Sequence, residues 1–252
     1  MIQPSRRRRG RYGVDAPYAL LGLTVGAIAL LAATVFLFAA GSGVAWVILL
    51  ATGYTGAAAT SYAYTTRRGK FRVWSSELDR LRLSGSERVL DLGCGRGAVL
   101  ILVAGRLVGG LATGVDLWRP KDQSGNAEAA TRANAAAEGV TDRIELDTAD
   151  LRDLPYPAGS FDLVVSSLAI HNIPTATDRR RAITEAYRVL APGGRLRIAD
   201  FRYAPEYAEL LRAAGAADVV VRGLGWRFWY GGPFFPTHLV AAGKPELSHH
   251  TD

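Results

Sequence analysis

Three glycines at alternate positions form the stretch of the chain that most clearly indicates a binding site. Gly93, Gly95 and Gly97 follow a short apolar run and precede a helix-like run. Glycines in such a loop let a ligand approach the backbone closely. Asp91 stands two residues before the first glycine, where its carboxylate disfavours a pyrophosphate and favours a cationic ligand. The stretch therefore indicates a binding loop for a small molecule that carries positive charge.

A dinucleotide is the alternative ligand for the same loop. Gly93, Gly95 and Ala98 also satisfy the G-x-G-x-x-A form of the pyrophosphate fingerprint, with Asp116 roughly 20 residues downstream. The glycine loop by itself is therefore also compatible with an oxidoreductase that uses NAD. Asp91 argues against it.

The segments that must position this loop alternate between strand-like and helix-like patterns after Gly85. The alternation predicts a parallel sheet with helices on both faces. The predicted strands are 88–92, 112–117, 142–147, 161–167, 194–201, 217–223 and 237–245. The predicted helices are 97–107, 124–138, 177–190 (capped by Thr177 or Asp178) and 204–214, with a turn at 192–194. In such a sheet the ligand lies beyond the carboxyl ends of the strands.

Five elements in chain order resemble the motifs of the class I S-adenosylmethionine-dependent methyltransferases. They are VLDLGCGRG (89–97), Asp116, TADLRDLPY (148–156), FDLVVSSLAIHNI (161–173) and VLAPGGRLRIADF (189–201). The resemblance covers about residues 85–245 and implies a seven-stranded Rossmann-like sheet whose last strand is antiparallel. It also implies S-adenosylmethionine as the cofactor. The connection LWRPKDQSGN after Asp116 is longer than is usual in the family.

Cofactor binding is expected from residues at the strand ends. Asp91 is expected near the amino-acid end of the cofactor, and the resemblance places Asp116 at the ribose and Asp150 on the adenine side. The full predicted set is Asp91, Gly93, Cys94, Gly95, Gly97, Asp116, Leu117, Asp150, Leu151 and Ser166. Cys94 is the only cysteine, which excludes an intrachain disulfide. Between two glycines we interpret it as a small filler rather than a nucleophile.

His171 and Asp200 are the candidate catalytic residues. They lie just past the fourth predicted strand and at the end of the fifth, where either could orient or deprotonate an acceptor. Each also has a structural interpretation, since His171 could cap a strand end and Asp200 could be purely structural. The four histidines are scattered or lie in the tail, so no metal site is predicted.

The N-terminal third contains a span of 51 residues, Ala16 to Thr66, without a charged residue or histidine. That length suits two membrane crossings, here 17–40 and 44–64, joined at Gly41–Gly43. Arginine clusters flank both ends, which predicts that both ends are cytoplasmic. A cleaved signal peptide that ends near Ala40 is the alternative. The predicted organisation is a basic cytoplasmic arm (1–16), a transmembrane helical hairpin (17–66), an amphipathic linker helix (67–84), the methyltransferase domain (85–245) and a disordered tail (246–252).

The formal net charge of +7 belongs to the segments around this span, and the C-terminal domain is close to neutral. This distribution argues against a nucleic-acid partner. A helix at 70–83 would carry Phe71, Trp74, Leu78 and Leu81 on one face, either packed on the domain or lying at the membrane interface. The aromatic run 226–235 is interpreted as a hairpin-like connection partly packed on the core, or as an apolar lip.

The leading hypothesis is a multi-pass cell-membrane protein whose cytoplasmic domain methylates a small, apolar, membrane-associated acceptor. A lipid or a quinone-like molecule would fit, because an anchor raises the effective concentration of substrates dissolved in the bilayer. A second alternative is a catalytically silent binding module on a membrane anchor. The sequence leaves the oligomeric state open.

Overall fold

The computed structural model describes residues 8–120 and 122–246, which form helices and strands in a regular order. The helices are α1 (Pro17–Ala39), α2 (Ala45–Tyr64), α3 (Lys70–Leu81), α4 (Ala98–Ala104), α5 (Glu128–Glu138), α6 (Ala176–Val189) and α7 (Ala204–Ala213). The strands are β1 (Arg88–Leu92), β2 (Leu111–Asp116), β3 (Ile144–Thr148), β4 (Phe161–Ser167), β5 (Leu190–Asp200), β6 (Ala217–Gly223) and β7 (His238–Gly243).

The seven strands form one sheet in the order β3-β2-β1-β4-β5-β7-β6. The first five strands in this order are parallel, and β7 pairs antiparallel with both β5 and β6. The predicted seven-stranded sheet with an antiparallel last strand is therefore confirmed. From β1 the chain adds β2 and β3 on one side of the sheet, and β4 and β5 then lie on the other side of β1. The strand order therefore reverses between β1 and β4, next to the glycine loop, and open sheets bind their ligands at such a reversal.

Helices cover both faces of the sheet, as the alternating pattern predicts. On one face, buried apolar residues of α3 and α4, with Ala135 of α5, pack into one core cluster. On the other face, α6 and α7 pack through residues such as Ile183 and Leu211. Since the central strands are buried on both faces, β1 and β4 consist almost entirely of buried residues.

Two local predictions in the second half of the domain are wrong. The turn expected at 192–194 lies inside β5. The Gly193 amide donates to the Lys244 carbonyl and the Lys244 amide donates to the Gly194 carbonyl, which extends the pairing with the segment after β7. Helix α6 is capped by Thr175, whose Oγ1 accepts a hydrogen bond from the Asp178 amide at 3.0 Å, and not by Thr177 or Asp178.

The uncharged N-terminal span forms two antiparallel helices, α1 and α2, with a turn at 41–43. The Oγ1 atoms of Thr34 and Thr52 lie 3.1 Å apart across this pair. Among the described residues, only α1 is long and apolar enough to cross a membrane, with a mean hydropathy of 2.4. Gly, Thr, Ser and Tyr residues throughout α2 make it less apolar. The prediction of two membrane-spanning helices is therefore not supported, and the structure provides one candidate span.

Helix α3 continues from α2 through a π-helical turn at Thr65–Gly69 and packs on the domain. The face predicted at 70–83 is buried: Phe71, Trp74, Leu78 and Leu81 all belong to the core. Of the two interpretations of this helix, packing on the domain is the one that the structure supports.

The N-terminal arm folds back on the domain instead of leaving it. Its described part, residues 8–16, runs along α5 and the β2–α5 connection, where the amides of Arg9 and Gly10 donate to Oε1 of Glu138. The first seven residues of the predicted basic arm lie outside the described residues. Of the predicted disordered tail (246–252), all residues but Glu246 also lie outside the described residues.

Candidate active site

A cavity of about 370 Å³ lies beyond the carboxyl ends of β1, β2 and β4. It brings together eight of the predicted cofactor-binding residues: Asp91, Gly93, Cys94, Gly95, Asp116, Leu117, Asp150 and Leu151. Carboxylates from three different strand ends therefore share one concave surface with the glycine loop. A cavity of this size and composition suits a small polar ligand with an apolar portion.

The glycine loop has the backbone geometry that its composition predicts. Gly93 and Gly95 both have positive φ angles, 69° and 52°. A Cβ atom at Gly93 would collide with Ala169, and one at Gly95 would meet Oε1 of Gln123 at 2.6 Å. The loop is anchored because the amides of Gly93 and Cys94 both donate to the carbonyl of Val115. Side chains at these glycines would therefore collide with Ala169 and Gln123 and displace the loop that lines the cavity.

Cys94 lines the cavity, but its chemistry is that of a packed apolar group. Burial raises the pKa of its thiol well above the ordinary value, and the nearby carboxylates of Asp91 and Asp116 raise it further. Its Sγ fills the space beside Gly114, where a Cβ atom would meet it at 2.8 Å. A thiol held in its neutral form is a weak nucleophile, which agrees with its interpretation as a filler.

Asp91 is the most unusual group of the site. It is 2% exposed, and its Oδ2 atom has no hydrogen-bond partner among the described residues. Burial raises the pKa of its carboxyl to about 7; the Leu100 amide offsets part of this effect and the charge of Asp116 adds to it. A buried carboxylate oxygen without a partner, in a residue that lines the cavity, favours a hydrogen-bond donor, and a cationic donor most strongly. The ammonium group of S-adenosylmethionine has that chemistry.

Asp116 joins the glycine loop to the segment that follows β2. Its Oδ2 accepts a hydrogen bond from the Gly95 amide at 2.9 Å, and its Oδ1 accepts one from the Trp118 amide at 2.6 Å. The Asn126 amide group donates to Oδ1 at 3.3 Å. A carboxylate held in this way keeps further lone pairs for hydroxyl donors, as ribose binding requires.

Asp150 lies at the cavity wall but already has a charged partner. Arg152 contacts both of its carboxylate oxygens, the shortest contact being 2.6 Å, and also lies 3.2 Å from Asp178. Hydrogen bonds from Arg152 lower the pKa of the Asp150 carboxyl. Leu151 beside it is buried and supplies apolar surface. The adenine-side wall is thus an ion-pair cluster next to a leucine.

Two of the predicted cofactor-binding residues act differently from the expectation. Ser166 is fully buried, and its hydroxyl donates to the Leu92 carbonyl at 2.9 Å between β4 and β1. The next residue, Ser167, lines the cavity instead, because successive side chains of a strand point to opposite faces. Gly97 is the N-cap residue before helix α4, with a φ of 79°, and it lies against Thr131 and outside the cavity lining.

His171 and Asp200 come together beside the cavity, and neither is among the residues that line it. Nδ1 of His171 lies 2.7 Å from Oδ1 of Asp200, although the ring is not aligned for a hydrogen bond to that oxygen. The His171 amide donates to Oδ2 of Asp200 at 3.1 Å. Asp200 is fully buried, and the amide of Phe201 also donates to it. Asp200 therefore holds the segment that carries His171, while the neighbouring Ala169 and Asn172 line the cavity.

The cavity also contains residues that the sequence did not indicate. Asp15 and Lys70 come from the two ends of the helix pair, and Arg119, Gln123 and Asn126 come from the connection after Asp116. The length of this connection has a structural reason, since it pairs with the N-terminal arm through an antiparallel bridge between Asp15 and Gln123. Asp15 carries a signal in the sequence, as it is the only acidic residue before Glu77.

Comparison with known proteins agrees with this geometry. Residues 90–198 match the family model described as "Methyltransferase domain". The 27-O-demethylrifamycin SV methyltransferase of Amycolatopsis mediterranei is 35% identical over 146 residues, which are 57% of this chain and 49% of that protein. The ubiquinone/menaquinone biosynthesis C-methyltransferase UbiE of a Ruegeria species is 33% identical over 138 residues, 54% of this chain and 52% of that protein. The chain thus spans about half the length of the curated relatives that it matches.

A solved structure shares the fold of the C-terminal domain. The crystal structure of the (4+2) cyclase SpnF superposes with a TM-score of 0.58 and 23% sequence identity, covering 70% of this chain and 82% of that chain. At this identity the likeness shows the fold alone. Because a protein of this fold is named as a cyclase, the reaction must be argued from the site and not from the fold.

Proposed function

We propose that this chain, which carries a class I S-adenosylmethionine-dependent methyltransferase domain, methylates a small, apolar acceptor at a membrane. The observation that carries the proposal is the composition of the cavity. It is lined by the acid-flanked glycine loop and by Asp15 and Lys70, which flank the two ends of the apolar helix pair. A cofactor pocket and a candidate membrane segment therefore meet at one place.

Different residues of the cavity bind different parts of the cofactor. Asp91 binds the ammonium group, Asp116 binds the ribose hydroxyls, and Leu151 with the Asp150–Arg152 pair forms the adenine wall. When bound, S-adenosylmethionine supplies an electrophilic methyl group on its sulfonium. The same carboxylates disfavour a pyrophosphate, which weakens the alternative of an NAD-dependent oxidoreductase.

His171 is the proposed general base, with Asp200 as the group that positions it. Asp200 binds the His171 amide and lies beside Nδ1, so Nε2 is the atom assigned to accept a proton from the acceptor. We expect His171→Ala to lower kcat much more than it raises the Kd for the cofactor. A fall in cofactor affinity with unchanged kcat would contradict this role.

Membrane attachment is proposed through α1, the one candidate span among the described residues, with α2 packed along it. The apolar side chains of both helices point outward, for example Ile28, Phe36 and Leu50. Exposed apolar surface of this extent marks a contact with membrane or protein. Because Asp15 and Lys70 form an ion pair at 2.8 Å, both ends of the helix pair lie on the side of the domain. With the arginine clusters at these ends, this arrangement supports a cytoplasmic domain.

The aromatic segment 226–235 supports the same location. Its Phe228 is buried in the core, whereas Trp226, Phe234 and Phe235 are exposed beside the helix pair. Trp226 stacks on Tyr64 with ring centroids 5.4 Å apart. Aromatic side chains are typical of the boundary between membrane and water. The segment is thus partly packed and partly an apolar lip.

The acceptor that suits this arrangement is a lipid or a quinone-like molecule. Two features support this class: the position of the cavity beside the helix pair, and the name of one relative as a quinone biosynthesis C-methyltransferase. The test uses the full chain in lipid nanodiscs with S-adenosylmethionine labelled on its methyl group. Membrane lipid extract, total RNA and soluble protein are offered as separate acceptors, with His171→Ala as the matched inactive variant.

We expect label in the organic phase of the lipid reaction, dependent on His171. Label in RNA or soluble protein, with none in any lipid component, would overturn the proposed acceptor class. Cofactor binding without transfer to any of the three would favour the silent binding module.

A further inference from the structure

The carboxylate of Asp15 is the centre of a polar cluster that the fold places at the rim of the cavity. Nζ of Lys70 lies 2.8 Å from both of its oxygens. The side chains of Thr66, Gln123 and Tyr230 also donate to it, at 3.0, 2.8 and 2.7 Å respectively. We call these five residues the Asp15 cluster. Its members come from four segments that are distant in the sequence.

The Asp15 cluster ties the two ends of the helix pair together. Asp15 lies just before α1, whereas Thr66 and Lys70 lie just after α2. Tyr230 belongs to the aromatic segment, and Tyr62 of α2 donates from its hydroxyl to the Asp15 carbonyl at 2.9 Å. The carboxylate thus holds the arm, the end of the helix pair and the aromatic segment in one arrangement.

Gln123 connects this cluster to the glycine loop. Its Nε2 donates to Oδ1 of Asp15 at 2.8 Å, and its Oε1 accepts a hydrogen bond from the Arg96 amide at 2.8 Å. Oε1 also occupies the space beside Gly95. The side-chain amide of Gln123 has a donor, Nε2, and an acceptor, Oε1. Because a carboxylate accepts hydrogen bonds only, Nε2 must face Asp15, and Oε1 then faces the glycine loop. The Asp15 carboxylate therefore determines the orientation of Gln123.

A contribution to stability alone does not explain the Asp15 cluster, because burying its charged groups costs free energy. The side chains of Asp15 and Lys70 are only 17% and 5% exposed. Burial acts to raise the pKa of the Asp15 carboxyl, but the charge of Lys70 and the hydrogen bonds of Lys70, Tyr230 and Thr66 outweigh it and lower the pKa. Buried ion pairs contribute little net stability compared with apolar packing, because both charges lose their hydration. A role at the neighbouring cavity, which Asp15 and Lys70 both line, accounts better for their presence.

We propose that Asp15 is a positioning residue for the cofactor, acting through Gln123 on the glycine loop. The segment at the root of the helix pair thereby completes the cofactor site of the domain. The inference rests on the cofactor binding in this cavity that the proposed function requires. It assigns no step of the reaction to Asp15.

The test is a double-mutant cycle between Asp15 and Gln123 in the full chain. Isothermal titration with S-adenosylmethionine gives the Kd of the wild type, Asp15→Asn, Gln123→Ala and the double variant. We expect each single substitution to raise the Kd about tenfold, as loss of a hydrogen bond to a charged group would, with kcat changed less than KM. The double variant should bind about as weakly as Gln123→Ala alone, because Asp15 acts through Gln123.

Glu138→Gln is the matched control. Glu138 holds the same arm through the amides of Arg9 and Gly10, away from the glycine loop, so its substitution should leave the Kd unchanged. If Asp15→Asn does not fold, Tyr230→Phe removes a single hydrogen bond from the carboxylate and should raise the Kd in the same direction.

Each outcome separates this inference from the proposed function. A wild-type Kd in both Asp15→Asn and Tyr230→Phe would overturn the inference while leaving the cofactor site intact. Strictly additive effects of Asp15 and Gln123 would also overturn it. A wild-type chain that does not bind S-adenosylmethionine would contradict the proposed function itself.

Discussion

Asp91 places a carboxyl with a pKa of about 7 next to the site assigned to a cationic ligand. The ionised form binds an ammonium group, and the protonated form does not. We therefore expect the affinity for S-adenosylmethionine to increase about tenfold from about pH 6 to about pH 8, since one pKa unit changes the protonation ratio tenfold. Calorimetry at several pH values would measure this slope. Asp91→Asn should bind more weakly and show no such slope; a parallel slope in the variant would contradict the assignment.

The same group makes the ligand-free protein less stable as the pH rises. The folded state raises the pKa of Asp91 above its ordinary value of 3.8, so between about pH 4 and 7 the folded state retains a proton that the unfolded state has lost. Its contribution to the free energy of unfolding therefore falls through this window. Thermal melts of the wild type and Asp91→Asn should diverge between these pH values, with the variant losing less stability. Equal slopes would mean that Asp91 is already ionised.

Asp116 is a second acid whose substitution has a defined consequence. Its carboxylate accepts amide hydrogen bonds from Gly95 and Trp118. Asp116→Ala leaves these donors and the cofactor hydroxyls without an acceptor, and we expect cofactor binding to weaken by about 1 to 3 kcal/mol. Asp116→Asn, which keeps one acceptor oxygen, should weaken binding less. An unchanged Kd for Asp116→Ala would remove this residue from the site.

At the residue scale, the sequence motifs correctly predicted the cavity residues that lie at or just after the end of a strand. Asp91, Asp116 and Asp150 are of this kind. Ser166 was misplaced by one position, because the sequence does not show which of two consecutive serines faces the cavity. Asp15 and Gln123 were missed because their pairing depends on the arm folding back over more than 100 residues of chain.

At the scale of elements, α3 offers a direct test of its position. Leu78 is buried in the core, whereas Ser76 on the same helix is exposed. Leu78→Ala should lower the free energy of unfolding by about 2 to 5 kcal/mol, because it leaves a cavity in packed surroundings. Ser76→Ala, the control, should change it little. If Leu78→Ala instead weakened vesicle binding without loss of stability, α3 would be an interfacial helix.

The elements that the sequence predicted well are those with a strong period or a clear boundary. The strand before the glycine loop and the uncharged helical span both have such signals. The early start of β5 at Leu190 had none, since Pro192 and two glycines read as a turn. The continuity of α2 and α3 was hidden by Gly69, which is suited to the close approach of the Arg227 carbonyl.

For the molecule as a whole, the exposed apolar helix pair predicts integral membrane attachment. After expression, we expect the full chain to remain in the pellet after a carbonate wash, because burial of apolar surface in lipid does not depend on charge. A variant with Leu21 and Ile28 both changed to Lys, on the exposed face of α1, should appear in the supernatant. Release of the wild-type chain by carbonate would show that the helix pair has another partner.

The central claim is that the acid-flanked glycine loop binds S-adenosylmethionine and not a dinucleotide. Isothermal titration of the full chain in lipid nanodiscs, with S-adenosylmethionine and with NAD in parallel, tests it most directly. Gly93→Val is the matched variant, since its side chain would collide with Ala169, which follows β4. We predict saturable binding of S-adenosylmethionine to the wild type, none to Gly93→Val, and no binding of NAD. Preferential binding of NAD, or equal binding of S-adenosylmethionine by Gly93→Val, would contradict the account.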